Sequence, residues 1–65
     1  MKVIIETPPK NEYHFPKGMK VSKILKQLQL NPESVIVIRQ SELLSVEDWV
    51  NEDEEISIRS VISGG

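Results

Sequence analysis

The apolar residues of this chain are spaced with two different periods, and each change of period marks an element. Val3, Ile4 and Ile5 open a β-branched run that predicts a first strand over residues 2–7. Pro8 and Pro9 end it, because proline donates nothing to a ladder and restrains the residue before it. Residues 12–15 predict a short second strand antiparallel to the first, with Tyr13 and Phe15 on one face, and Pro16-Lys17-Gly18 closes it in a turn. Val21, Ile24, Leu25 and Leu28 then fall on one stripe of a 3.6-residue period, which predicts a single helix over residues 21–29. Lys20, Lys23, Lys26 and Gln27 lie off that stripe. Either Lys20, a weak cap, or Ser22, one turn late, stands at the helix start. Asn31-Pro32 marks its stop.

The second half returns to strand periods. Val35, Ile36, Val37 and Ile38 form an unbroken apolar run in residues 34–39, which reads as a strand covered on both faces. Residues 41–45 read as a shorter strand or an irregular arm, and residues 46–50 as a brief helical turn capped by Ser45. The acidic stretch 51–55 is a loop. Ile56 and Ile58 alternate with Ser57 and Arg59 in a half-buried last strand over residues 55–61. The order strand, strand, helix, strand, short strand, strand is an α+β arrangement with the helix lying across one face of a mixed sheet of four to five strands. The expected core is Val3, Ile5, Val21, Ile24, Leu25, Leu28, Val37, Ile56 and Ile58.

Composition narrows the function classes. A chain of 65 residues is one domain whose core is small, with no room for a deep catalytic cavity as well. It has no cysteine, so thiolate metal sites and cysteine nucleophiles are excluded, and the expected compartment is a reducing cytoplasm. No run approaches the roughly 20 apolar residues of a membrane helix, and the first six residues lack a signal peptide's apolar stretch. The net charge of -2 argues against nucleic acid as the main partner.

The chemistry concentrates in the last residues, Ser60-Val61-Ile62-Ser63-Gly64-Gly65. Glycine carries no side chain and its backbone is unrestrained, so a Gly-Gly segment can lie in a narrow channel and deliver a carboxylate to a reactive centre. The competing reading is a frayed end. Residues 62–65 are expected to form a flexible tail on a domain of residues 1–61, reaching roughly 13 Å beyond it when extended. A carboxylate is a poor electrophile. It reacts only when joined to a group that leaves well. A Cβ at Gly64 or Gly65 would crowd such a channel and restrict the backbone angles.

Several stretches together resemble the ubiquitin-like sulfur-carrier proteins of the ThiS/MoaD family. They are the glycine turn and amphipathic helix of residues 18–28, the central apolar strand of residues 35–38, the acidic-tryptophan step Glu47-Asp48-Trp49, and the last strand running into Gly64-Gly65. The family's Asp-Gly-Asp turn stands here as Asn51-Glu52-Asp53-Glu54, which keeps the acidity without the glycine. The resemblance implies a β-grasp, ubiquitin-like domain that is not itself an enzyme and binds no cofactor. Its Gly65 carboxylate would be adenylated and thiocarboxylated by a partner resembling the ubiquitin-activating enzymes, which brings ATP and Mg²⁺, with Ile62, Ser63 and Gly64 recognised as the tail. The sulfur would pass to thiazole synthase in thiamin biosynthesis, to the large subunit of molybdopterin synthase, or to tRNA. The same tail also fits a modifier joined to lysines of other proteins through Gly65.

Such a carrier needs a docking face. Strand alternation places Ile4, Arg59 and Val61 on the sheet face away from the helix, where Arg59 would meet an acidic surface or stand solvated. Other residues read more plainly. His14 is the only histidine and is expected on a strand surface, since metal sites need three or four ligands. Glu52 to Glu55 lack the alternating ligands and glycine of a calcium loop. Lys17, Lys20, Lys23 and Lys26 make a basic helix side, solvated by default. Trp49 is expected at the edge of the core.

Overall fold

The computed structural model describes residues 1–61. Strands β1 (Lys2–Ile5), β2 (Asn11–His14), β4 (Val35–Arg39), β5 (Glu42–Leu44) and β7 (Glu55–Ser60) form one mixed sheet in the order β2-β1-β7-β4-β5. The helix α1 (Val21–Gln27) crosses one face of it. A second, two-stranded ribbon joins β3 (Met19–Lys20) to β6 (Trp49–Val50). The hairpin β1–β2 is antiparallel, β1 pairs with β7 in parallel, and β4 pairs antiparallel with both β5 and β7. This is the α+β, β-grasp architecture, with the last strand at the centre of the sheet. Among the described residues no helix is long and apolar enough to cross a membrane.

The core lies between the sheet and α1. Val3, Val21, Ile24, Leu25, Val37, Ile56 and Ile58 are buried as the periodicity predicts. Ile5 and Leu28 are only partly buried and pack against this cluster. Met1 and Val50 complete it, which local pattern did not reveal.

The segment before β6 differs from expectation. Residues 46–50 form no helical turn. Ser45 and Asp48 instead close a tight turn, in which the Ser45 N–H donates to Asp48 Oδ2 at 2.7 Å and the Asp48 N–H donates to the Ser45 carbonyl at 3.1 Å. The chain then enters the ribbon, where Met19 pairs with Val50 and Lys20 with Trp49. Strand alternation turns Val50 fully inward and leaves Trp49 55% exposed, so Trp49 is not a core-edge residue. Gly18 makes this approach possible, since a Cβ there would sit 2.8 Å from the Val50 carbonyl oxygen.

The same segment caps the helix. Lys20 is the N-cap, and its side chain makes no capping bond. The first helical N–H groups, which have no partner within a helix, donate instead to the carbonyls of Asp48 (2.9 Å, from Val21) and Val46 (3.0 Å, from Ser22). At the other end α1 stops two residues before the predicted 29. Gln29 takes a left-handed conformation at φ 59°. Its N–H donates to the Lys26 carbonyl, and the Leu30 N–H donates to the Leu25 carbonyl at 2.8 Å. This is the double bond pattern of a Schellman end, and it folds Leu30 back against the core.

Arg39 fastens the ribbon to the sheet. Its guanidinium donates to the Trp49 carbonyl at 3.0 Å, to Glu54 at 3.2 Å and to Glu42 at 3.2 Å. Glu54 also accepts the Asn51 N–H at 2.8 Å. That backbone bond, helped by Arg39 and opposed by partial burial, holds the Glu54 carboxyl below the usual carboxylate range.

Candidate functional site

β7 is the central strand of the sheet, held from both sides. β1 supports one side, where the Glu6 N–H donates to the Ile58 carbonyl at 2.9 Å. β4 supports the other, with Ile36 opposite Arg59 and Val35 opposite Ser60. The Val61 N–H donates to the Ser34 carbonyl at 3.0 Å, so the strand's direction is held to the last described residue. Ile62, Ser63, Gly64 and Gly65 lie outside the described residues.

The register then fixes the sheet face that α1 does not cover. Val3, Val37, Ile56 and Ile58 point to the helix, so their neighbours point away. Ile4 stands beside Ser57, Arg59 follows two residues along β7, and Ile36 is opposite Arg59. The three residues expected at a docking face, Ile4, Arg59 and Val61, thus share one side. Arg59 is exposed and Val61 is 52% exposed.

Sequence reasoning missed half of this face. Ile36, Ile38 and Leu43 belong to it, Leu43 opposite Ile38 and 67% exposed. The unbroken run of residues 35–38 suggested a strand covered on both faces. Among the described residues no element covers this second side, and Ile36 and Ile38 are only half-buried. The missed signal lay in the pairing, since alternation across β4 and β7 together assigns every residue to a face.

The far edge of the same face is charged. Lys2 lies 3.7 Å from Glu12 and 3.9 Å from Glu55, and His14 Nε2 lies 3.0 Å from Glu12 Oε2. His14 is a strand surface residue, in register with Lys2. No three His, Asp or Glu side chains are grouped to hold a metal among the described residues. The basic side of α1 lies elsewhere, flanking a groove of 490 Å³ lined by Lys17, Met19, Lys20, Lys23 and Trp49. Lys20 there pairs with Glu47 at 3.3 Å.

No family model matches the chain. It is 37% identical over 65 residues, all of both chains, to "Sulfur carrier protein TtuB" of Thermus thermophilus. It is also 42% identical over 48 residues, covering 74% of this chain and 70% of the relative, to an uncharacterized protein of Archaeoglobus fulgidus. A β-grasp sheet in a chain matched end to end with a sulfur carrier places it in its family: it belongs to the ThiS/MoaD-like sulfur carriers.

Proposed function

We propose that this chain carries sulfur on Gly65 and contributes no catalytic group of its own. The observation that carries the reading is the full-length similarity to a sulfur carrier, which runs through residue 65. The Gly65 carboxylate oxygen attacks the α-phosphate of ATP on a partner enzyme, forming the acyl-adenylate and releasing pyrophosphate. A sulfur nucleophile then adds to the acyl carbon. The C–S bond forms, the C–O bond to AMP breaks, and the thiocarboxylate remains. ATP and Mg²⁺ belong to that partner. Ile62, Ser63 and Gly64 thread its channel, while Ile4, Ile36, Ile38, Leu43 and Val61 dock outside it with Arg59 at the rim. Half-buried and exposed apolar residues gathered on one side of a small domain fit such a contact.

The final acceptor is the thiazole of thiamin, molybdopterin or a thiolated tRNA. The similarity to TtuB supports the carrier chemistry, and tRNA fits it at least as well as the other two. Intact mass of the chain purified from its native cells tests the reading. A species heavier by the difference between sulfur and oxygen at Gly65 is expected, and it disappears when Gly65 is deleted. A lysine carrying Ser60-Val61-Ile62-Ser63-Gly64-Gly65 in a tryptic digest, with no thiocarboxylate, points to a protein modifier. Absence of both species overturns the carrier reading.

A further inference from the structure

Two hydrogen bonds from opposite sides hold β7 where it leaves the sheet. On the β1 side the backbone ladder reaches Ile58 through Glu6, and Pro8 and Pro9 then take that chain away without offering a donor. The next amide of β7 on this side is the Ser60 N–H. It donates to a side chain, Thr7 Oγ1, at 2.9 Å and across 53 residues of sequence. One residue later and on the β4 side, the Val61 N–H donates to the Ser34 carbonyl at 3.0 Å. Thr7 also separates two grooves. One of 280 Å³ lies on the helix side beside Ile5, Leu30 and Val35. The other, of 430 Å³, lies on the uncovered side beside Glu6, Pro8 and Arg59.

We infer that Thr7 is a positioning residue for Gly65: its hydroxyl holds Ser60 at the end of β7. This rests on the sulfur-carrier reading above. A strand end already held in place loses less freedom on docking, so the expected benefit appears in partner binding. The bond is a single side-chain acceptor at an exposed site, so its loss lowers kcat/KM for thiocarboxylation by about two- to tenfold.

The test compares wild type, Thr7→Val and Thr7→Ser. Valine keeps the β-branched shape and removes the acceptor, while serine keeps the hydroxyl. Each purified chain is added at several concentrations to an extract of native cells lacking their own copy, with ATP, Mg²⁺ and sulfide. The initial rate of thiocarboxylate formation is followed by intact mass. Thr7→Val is expected to raise KM with kcat unchanged, and Thr7→Ser to behave as wild type. Amide exchange should quicken in Thr7→Val at Ser60 and Val61 alone, with the melting temperature unchanged. Equal kinetics for Thr7→Val and wild type would overturn the inference. So would an equal defect in Thr7→Ser, or faster exchange throughout the domain. A wild-type chain that gains no sulfur refutes the carrier reading itself and removes the chemistry to be positioned. The exchange measurement still reports whether the bond to Ser60 holds.

Discussion

The two faces of the central sheet are built from the same residue types and differ in what lies over them. Toward α1, Val3, Ile56 and Ile58 are at most 1% exposed. Away from it, Ile4 on β1 and Ile36 and Ile38 on β4, whose neighbours Val3 and Val37 are buried, are half-buried, and Leu43 is 67% exposed. The first face is the hydrophobic driving force of folding. The second contributes little of that, and the proposed function assigns its apolar residues to a partner. Substitutions on the two faces should then separate stability from function.

Ile58→Ala should have the largest effect. Truncating a buried isoleucine costs about 2–5 kcal/mol, against a total stability of about 3–10 kcal/mol for a chain of this length. Urea unfolding should show a much lower midpoint, and a loss below about 1 kcal/mol would mean that this face is less tightly packed than its burial indicates.

Ile36→Thr sharpens the contrast from the other side. It keeps the β-branched shape and makes the uncovered face more polar, at a stability cost of about 1 kcal/mol or less. It should nevertheless lower the rate of Gly65 thiocarboxylation in cell extract. An unchanged rate would remove Ile36 from the docking face.

Glu54→Gln should have the smallest effect, felt only through pH. Glu54 has a carboxyl lowered chiefly by the Asn51 N–H and secondarily by Arg39. A lowered carboxylate pKa stabilises the fold above the unfolded-state value. That contribution fades as pH falls through the folded value. The melting temperature of wild type should therefore exceed that of Glu54→Gln at pH 7, and the two should converge as the pH falls through the lowered carboxylate range of Glu54. A constant difference across that range would show that the ion pair's charge is irrelevant.

Much of the fold was legible because it is written in local periods. The stripe Val21, Ile24, Leu25 and Leu28 specifies α1, and the alternation at Ile56 and Ile58 specifies β7 and its buried side. The ribbon β3–β6 was not legible. Two residues of strand leave no periodic signal, and Glu47-Asp48-Trp49 reads locally as well as a helical turn. The close approach at Gly18 and the Arg39 bonds decided it, and these join residues far apart in sequence. The helix cap was hidden for the same reason, since its acceptors are backbone carbonyls of Val46 and Asp48, whose side-chain identities are irrelevant to the bond.

The candidate site divides the same way. The sequence by itself determined the residue types on which the proposed chemistry rests, the Gly64-Gly65 pair in a chain without cysteine. It also determined which residues of β7 alternate between faces. Only the tertiary structure decided that β7 is the central strand, that Ile36, Ile38 and Leu43 join Ile4, Arg59 and Val61, and that Thr7 meets Ser60. Which strand lies beside which depends on the balance of burial over the whole sheet, and no single segment carries that information.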